Sequence, residues 1–236
     1  MKSEVLEQLL HDRATKRQVV VATDLTDGNA LLIYPTENDD VNELKTAAKQ
    51  AMVADISGVI ELPDGRKVFL HVHNPPLRML IVGAVHIAQP LSQMAALASY
   101  DVSIIDPRHE FASVDRFPGI NLIDAWPDDG VEQFSPDRRS AIVTLTHDPK
   151  LDDPALIKAL RSDAFYIGCL GSRRTHGKRL ERLVAEGFSE SDFARIRGPV
   201  GLDIGAKSPA EIAVSILGEV VEALSRPNAD EIKAAK

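Results

Sequence analysis

The chain is poor in cysteine and in positive charge: its 236 residues include one cysteine, and its formal net charge is −8. A single cysteine excludes a disulfide within the chain and favours a reducing compartment. The acidic excess argues against non-specific binding to nucleic acid or to an acidic membrane surface. No apolar run approaches the ~20 residues of a membrane span, and the first residues lack the apolar core of a signal peptide. These absences predict a soluble, cytoplasmic protein without a nucleic-acid partner or a membrane span.

Apolar residues are not scarce, and their distribution predicts two domains. They make up 44% of the chain, which is enough for a full core, and a chain of 236 residues suits one or two domains. Asn74-Pro75-Pro76 forms a stiff segment at which the pattern changes. We therefore predict a small α+β domain over residues 1–76, a Rossmann-like domain over 77–226 and a polar tail over 227–236.

The residues before the two prolines predict antiparallel structure. An amphipathic helix is expected over residues 2–13 and a second helix over 41–54. Asp27-Gly28 and Asp64-Gly65 each lie between two β-rich runs, which is typical of hairpins. The pattern predicts an antiparallel meander with strands over residues 18–22, 29–34, 57–62 and 66–73.

After the prolines, strand and helix patterns alternate. Continuous apolar runs such as residues 141–146 are typical of strands buried on both faces of a parallel sheet. Helices between such strands predict the α/β class. One helix is expected over residues 84–100, directly after Gly83. Another is expected over 155–161, with Asp153 as its N-cap and Pro154 as its first residue.

The first glycine turn of this domain approaches a dinucleotide fingerprint. Gly83 ends an apolar run, and Asp106 ends the next one 23 residues later, whereas the fingerprint G-x-G-x-x-G expects a ribose-binding acid about 20 residues on. Val85 replaces the second glycine, where a side chain crowds a pyrophosphate. The alternative is a strand–helix junction that binds no phosphate. The cofactor-binding residues predicted here are Gly83, Ala84, Val85, His86, Asp106 and Arg108.

Polar side chains also follow the apolar run that ends near residue 145. Thr146, His147 and Asp148 offer a hydroxyl, an imidazole and a carboxylate at one strand end. Such groups can orient a ligand or move a proton, so all three are predicted to line the site. The alternative is a helix-entry turn in which Asp148-Pro149 ends the strand.

A second junction rich in glycine predicts an anion site. Gly171 and Ser172 can present backbone N–H groups at a helix N-terminus, and Arg173 and Arg174 can add forked donors. Cations at a helix N-terminus oppose the helix dipole, which favours a phosphate or an acidic partner nearby. The alternative is a solvated basic helix, because basic residues continue beyond the junction. The predicted ligand-binding residues are Gly168, Gly171, Ser172, Arg173 and Arg174.

Other reactive residue types predict no chemistry of their own. Cys169 fits a small buried core residue better than a reactive thiol. His71 and His73 would share one face of a strand, but no cysteine or acidic ligand lies near them in the sequence. The sequence therefore predicts no metal site and identifies no catalytic residue.

Five motifs, in order along residues 77–225, resemble the XdhC/CoxI family, which comprises accessory proteins of xanthine dehydrogenase and carbon monoxide dehydrogenase. The motifs at residues 166–175 and 201–213 are the most specific. The five segments are LIVGAVHIAQ at 80–89, DPR at 106–108, LTHDP at 145–149, YIGCLGSRRT at 166–175 and GLDIGAKSPAEIA at 201–213.

The resemblance implies a Rossmann-like domain and a role in maturing molybdenum hydroxylases. It implies that the chain binds molybdenum cofactor, a pterin phosphate often extended by a nucleotide, and helps its sulfuration and insertion into the apoenzyme. A hydroxylase apoenzyme and a sulfurtransferase are the implied partners. Many members carry a glycine-rich segment with a cysteine, whereas residues 1–75 contain no cysteine. Whatever that cysteine does in relatives, this chain does without it.

Two other interpretations stay open at this point. One is an NAD(P)-binding oxidoreductase with a degenerate glycine motif, for which Asp106 favours NAD over NADP because a carboxylate repels a 2′-phosphate. The other is a Rossmann scaffold that binds a protein and no small ligand, and a homodimer is compatible with any of these interpretations. Whether the chain catalyses a reaction is left open by its sequence.

Overall fold

A computed structural model describes residues 2–35 and 42–225 of the chain. The chain divides into two compact units, the first ending at Pro75 and the second beginning at Pro76. Val41, the predicted start of a helix, and the predicted polar tail over 227–236 lie outside the described residues. No helix in the described part of the chain is long and apolar enough to cross a membrane.

The first unit is a four-stranded antiparallel sheet with the strand order β2-β1-β4-β3. The predicted meander is wrong, because β1 pairs with β4 as well as with β2. Apolar residues of β1 and β4 share one face with α2, and this common core brings the two hairpins together side by side. The elements are α1 (Ser3–Ala14), β1 (Val19–Asp24), β2 (Ala30–Ile33), α2 (Glu43–Ala54), β3 (Gly58–Glu61) and β4 (Lys67–His73).

The second unit is a six-stranded parallel sheet with the order β10-β9-β8-β5-β6-β7. Its first strand is central and the chain winds outward in both directions, which is the strand order of the Rossmann fold. The predicted α/β class is confirmed. The elements are β5 (Leu77–Val82), α3 (Ala88–Leu97), β6 (Tyr100–Ile105), β7 (Asn121–Ile123), α4 (Pro127–Phe134), β8 (Ser140–Thr144), α5 (Pro149–Leu160), β9 (Tyr166–Cys169), α6 (Arg173–Ala185), α7 (Glu190–Phe193), β10 (Ile196–Arg197) and α8 (Pro209–Ser225).

The central strand β5 is buried on both faces. Met79 and Ile81 belong to one core cluster, while Leu80 and Val82 belong to the other. Residues of α3 and α8 complete the first cluster, and residues of α4 and α5 complete the second. The two-sided cover explains why β5 is a continuous apolar run without polar alternation.

The helix after the glycine turn begins later than predicted. α3 starts at Ala88, so residues 84–87 form a turn, and Tyr100 belongs to β6. Pro90 explains the position of the start, because proline is tolerated in the first turn of a helix, where its missing N–H has no intrahelical partner to lose. The Ala84 N–H instead donates to the Asp106 carboxylate at 2.8 Å.

Helix α5 begins earlier than predicted. Its N-cap is Asp148, whose carboxylate accepts the Lys150 N–H at 2.9 Å, and Pro149 follows in the first turn. The prediction of Asp153 as N-cap is wrong, and Pro154 lies inside the helix. Both Asp-Pro pairs carry the start signal, but the earlier start adds a turn that buries Leu151 and Asp152.

We predict that Gly83→Ala destabilises the second unit more than Gly119→Ala. Both glycines have positive φ, 105° and 75°, so alanine costs about 1–2 kcal/mol at either site. A Cβ at Gly83 would also lie 2.4 Å from Thr146 Cγ2, whereas one at Gly119 meets nothing within 4 Å. We expect the clash to add about 1–3 kcal/mol, measured by urea unfolding followed by circular dichroism. Equal losses for the two variants would contradict this account of Gly83.

Candidate functional site

Thr146 links two strand ends at the carboxyl edge of the parallel sheet. Its methyl group occupies the space beside Gly83, at the end of β5. Its hydroxyl donates to Asp152 Oδ1 at 2.7 Å, and its backbone N–H lies 3.3 Å from the same oxygen. The side chain therefore stands at the point where strand order reverses, which is where open α/β sheets bind ligands.

Asp106 holds the glycine turn rather than presenting a free carboxylate. Its Oδ1 accepts the backbone N–H and Nε–H of Arg108, and its Oδ2 accepts Arg108 Nη2–H and Ala84 N–H, all at 2.8–3.0 Å. Burial raises the pKa of the Asp106 carboxyl, but the hydrogen bonds from Arg108 and Ala84 outweigh burial and hold the pKa below its usual value. A ribose hydroxyl could reach Asp106 only by displacing Arg108.

Asp152 is a buried carboxylate in the first turn of α5, beside the end of β8. It is 1% exposed, and it accepts hydrogen bonds from Thr146 while lying 3.5 Å from Arg179 Nη2. Burial raises the pKa of Asp152 above its usual value, against the opposing effects of Thr146 and Arg179. This carboxylate joins the end of β8 to α5 and α6.

A cavity of about 210 Å³ opens beside this pair, between the start of α5 and one face of α6. Four of the side chains around it are cations, and one is a carboxylate. The lining residues are His147, Pro149, Asp152, Arg174, Thr175, Lys178, Arg179 and Arg182.

Arg179 is a buried guanidinium with unused donors. Its side chain is 2% exposed, and Nη2 donates to the Leu170 carbonyl at 3.0 Å. Among the described residues, Nε and Nη1 of Arg179 have no hydrogen-bond partner. Both atoms are closed to solvent, so Arg179 contributes a buried positive charge beside the cavity, which favours an anion there.

The other cations differ in how far they are already neutralised. Arg182 forms a two-point ion pair with Asp153, and this hydrogen bonding raises the pKa of Arg182. Arg174 and Lys178 are exposed at the cavity wall. The four cations face the two carboxylates Asp152 and Asp153, which leaves an excess of about two positive charges among these six side chains.

Helical spacing puts these side chains on one face of α6. Arg174, Lys178 and Arg182 recur every four residues, and residues four apart lie one above the other on a helix. Ser172 starts the helix as its N-cap, because its Oγ accepts the Thr175 N–H at 3.1 Å. Ser172 therefore serves the helix itself, and the cavity lies farther along α6.

The structure separates the predicted site residues into groups. His147 and Arg174 line the cavity. Gly83, Ala84, Val85, His86, Asp106 and Arg108 lie at the adjoining ends of β5 and β6, where Val85 packs against the core and Thr146 approaches Gly83.

The remaining predicted residues have structural positions. Asp148 caps α5, which agrees with the helix-entry alternative, and it also helps to raise the pKa of Arg108, whose main cause is its hydrogen bond to Asp106. Gly168 lies inside β9, where a Cβ would meet Val200 and Tyr166 at 2.6–2.8 Å. Gly171 and Ser172 form the entry to α6, and Arg173 is exposed and does not line the cavity.

Sequence reasoning missed most of the cavity. The basic continuation of α6 was open to the interpretation of a solvated face, yet its members surround the cavity together with Asp152. The spacing of four between cations was the signal that could have found this face, because it differs from charge scattered around a helix. The missed lining residues are Pro149, Asp152, Thr175, Lys178, Arg179 and Arg182.

His147 reaches the cavity from a left-handed backbone. Its φ is 62°, a conformation that few residues other than glycine adopt but in which histidine is enriched. The flanking Thr146 and Asp148 stabilise it, since the Asp148 N–H donates to Thr146 Oγ1 at 3.1 Å. The imidazole is thus positioned by a turn and not by a regular element.

Cys169 is a core residue, as predicted. It is fully buried in β9, and burial raises the pKa of its thiol to about 12. In the part of the chain that the structure describes, no three His, Cys, Asp or Glu side chains are grouped as metal ligands would be.

Comparison with known proteins identifies the family of this chain. The sequence model of the XdhC Rossmann domain matches residues 79–220, which is more than half of the chain. The chain belongs to the XdhC family. The matched residues contain both the glycine turn and the cavity of this XdhC-family chain.

Two curated relatives extend the comparison. The chain is 29% identical over 198 residues to a probable xanthine dehydrogenase subunit of Bacillus subtilis (strain 168), covering 82% of this chain and 58% of that protein. It is 32% identical over 146 residues to the molybdenum cofactor insertion chaperone PaoD of Escherichia coli (strain K12), covering 62% of this chain and 40% of that protein. The chain therefore matches about half the length of these relatives.

A solved structure supports the fold of the XdhC-family chain. It is the crystal structure of a xanthine dehydrogenase from Bacillus halodurans, with a TM-score of 0.68 and 22% identity. The match covers 97% of this chain and 68% of that chain. At this identity the likeness shows a shared fold.

We predict that Asp106→Asn destabilises the protein by about 1.5–3 kcal/mol near neutral pH, because the substitution removes charged hydrogen bonds from a buried group. The pKa of Asp106 is lowered by folding, so its stabilisation is complete above the ordinary value of 3.8 and is lost as the pH falls through the lower folded value. The loss should therefore shrink on acidification, as measured by urea unfolding at several pH values. Asp101→Asn removes an exposed carboxylate from the same strand and is the control. A pH-independent loss at Asp106 would refute the charge-based account.

We predict that Cys169 does not react with a maleimide in the native protein at pH 8. With a pKa of about 12, roughly one thiol in ten thousand is ionised at that pH, and the side chain is enclosed. Labelling, followed by mass spectrometry, should be stoichiometric in guanidinium and should track unfolding in its absence. Labelling of the native chain within seconds would show that the thiol is accessible.

Proposed function

We propose that this chain binds molybdenum cofactor in the α5–α6 cavity and assists its insertion into a molybdenum hydroxylase of the xanthine dehydrogenase or carbon monoxide dehydrogenase type. The observation that carries the proposal is the cationic cavity at the carboxyl edge of the sheet, which the buried guanidinium of Arg179 and the exposed Arg174 and Lys178 line. The names of the two curated relatives, an insertion chaperone and a component of xanthine dehydrogenase, support the same role for this family member.

The residues present fit the phosphate of a pterin cofactor. Arg174 and Lys178 offer exposed donors at the cavity wall, and the buried guanidinium of Arg179 adds positive charge. Arginine forks match phosphate oxygens, and lysine acts as a mobile point charge. When bound, the cofactor brings the molybdenum chemistry, which belongs to the client hydroxylase. This chain's residues hold and orient the cofactor.

Delivery requires release, and the cavity wall suits both binding and release. Arg179 is rigidly held by Asp152 and the Leu170 carbonyl, whereas Arg174 and Lys178 are exposed. Exposed ion pairs are individually weak and exchange readily, so an apoenzyme can compete for the ligand at this wall. The buried charge of Arg179 would then provide affinity for the ligand, and Arg174 and Lys178 would form the contacts that break when the ligand is released.

The sulfuration step points to a second partner. The thiol of Cys169 is buried and has a raised pKa, which makes it unsuited to carry sulfur to a bound cofactor. We therefore propose that a sulfurtransferase supplies the sulfur while this chain holds the cofactor.

The test is the ligand content of the protein after anaerobic co-expression with cofactor biosynthesis. Pterin is measured by fluorescence after oxidation, and nucleotides are measured by mass spectrometry. We expect one pterin per chain in the parent protein and its loss in Arg174→Ala/Lys178→Ala, because each charged hydrogen bond contributes about 1.5–3 kcal/mol.

Arg173→Ala is the matched control, because Arg173 is an exposed cation on the same helix that does not line the cavity. It should retain the pterin. A parent protein that contains NAD and no pterin would support the oxidoreductase interpretation, and an empty parent protein would support the scaffold interpretation. Either result would overturn the proposed function.

A further inference from the structure

We propose that the outward face of α8 is a dimer interface, at which the helix pairs in parallel with α8 of a second copy of this chain. The face is named the α8 seam, and it consists of Ala210, Val214, Leu217, Val221 and Leu224. The proposal does not rest on the proposed function, because it concerns helices that do not line the cavity.

The α8 seam is an apolar face that the fold leaves uncovered. α8 already has one buried stripe, which includes Ala213, Ile216 and Val220 of the first core cluster. Val214 and Val221 lie outside that stripe and are 51% and 44% exposed. A helix that is apolar on more than one side is typical of a buried setting, so the second stripe favours a partner.

The spacing of the α8 seam is that of a two-stranded coiled coil. Its residues follow one another at steps of four, three, four and three, which is the a and d pattern of the heptad repeat. Val214 and Val221 take the a positions, and Leu217 and Leu224 take d positions. In parallel coiled coils, a β-branched residue at a with leucine at d favours two strands. The pattern therefore predicts the number of copies as well as the kind of surface.

Charge favours a second copy over a charged partner. The chain contains 26% charged residues, yet neither the seam nor α3, which contacts α8, contains any. Glu219 and Glu222 take heptad positions f and b, which face away from a partner helix. Glu211 caps its own helix by accepting the Lys207 and Ser208 N–H groups at 2.8 Å. A charged partner would find no opposite charge here, whereas a second copy of this acidic chain can approach the uncharged surface without repulsion.

The size of the surface predicts a dimer that dissociates on dilution. α3 extends the surface with Leu97, which is 87% exposed. α8 has 17 residues and α3 has 10, so at about 1.5 Å per residue and roughly 10 Å of width the two helices cover about 400 Å² in projection. Stable interfaces bury about 800 Å² per partner, so this contact belongs to the small, reversible class.

The proposed dimer leaves both cavities open. Residues of α3 and α8 belong to the first core cluster, whereas residues of α5 and α6 belong to the second. The two pairs of helices therefore lie on opposite faces of the parallel sheet. A dimer formed through α8 would carry one cavity on each of its outer sides.

The first test is sedimentation velocity of the full chain over a series of micromolar concentrations, at which we expect a monomer–dimer equilibrium. Val214→Glu and Val221→Glu each place a charge within the apolar seam. Each should raise the dimer dissociation constant at least about thirtyfold, the effect of a central interface residue. Val184→Glu is the matched control, because Val184 is a valine of α6 that is 58% exposed, and it should leave the equilibrium unchanged.

A parent protein that stays monomeric throughout the series would overturn the proposal. A dimer that Val214→Glu and Val221→Glu leave intact would place the contact elsewhere and would also overturn it. Equal weakening by Val184→Glu would show an effect of added charge and not of the seam. Circular dichroism of each variant establishes that it is folded.

The second test adds no charge to the seam. In a parallel pair the two copies of residue 221 face each other, so Val221→Cys should form a disulfide-linked dimer under mild oxidation, whereas Val184→Cys should not. Cys169 does not compete, because it is fully buried. A Val221→Cys protein that yields no linked dimer on a non-reducing gel would overturn the parallel pairing.

Discussion

The buried pair of Asp152 and Arg179 is the interaction on which the site depends. Asp152 accepts from Thr146 at the end of β8, and Arg179 donates to the carbonyl of Leu170 just after β9. Two strand ends and two helices are therefore joined through one ion pair. Removing one partner of such a pair typically costs about 3–5 kcal/mol, because the other charge stays buried. The guanidinium cannot turn toward solvent, so its remaining donors have a fixed direction.

The parts of the fold that could be predicted are those encoded locally. The run of residues 79–82 is apolar at every position, which only a strand covered on both sides requires. Ser208 and Glu211 have the spacing of a helix cap, and α8 begins at Pro209, directly after Ser208, whose Oγ accepts the Glu211 N–H. Choices between equal local signals could not be predicted. The two Asp-Pro pairs of α5 carry the same signal, and burial of Leu151 and Asp152 decides between them.

The predicted strand order of the first unit was wrong for a related reason. Two hairpins can pair through β2 and β3, as in a meander, or through β1 and β4, as observed. Their turns are the same in both cases. The outcome depends on α2, which packs on residues from both hairpins.

For the candidate site, the sequence pointed to the carboxyl edge of the parallel sheet, but it did not show which residues contact one another there. The spacing from Gly83 to Asp106 correctly placed the two residues together, yet it could not show that Arg108 and Ala84 occupy the carboxylate. The sequence shows that the basic residues of α6 lie on one face of that helix. It does not show that this face lies beside α5, because the contact between the two helices follows from the order of the strands in the sheet. A buried arginine such as Arg179 looks the same in the sequence as a solvated one.

The left-handed backbone of His147 opposes the stability of the fold to the presence of an imidazole in the cavity wall. A φ of 62° costs a residue with a side chain about 1 kcal/mol, a cost that glycine would avoid. A glycine there would relieve the turn and remove the imidazole from the cavity wall. Laboratory evolution toward heat resistance should therefore drift toward glycine at position 147, and if the proposed function holds, the variants it enriches should retain less cofactor.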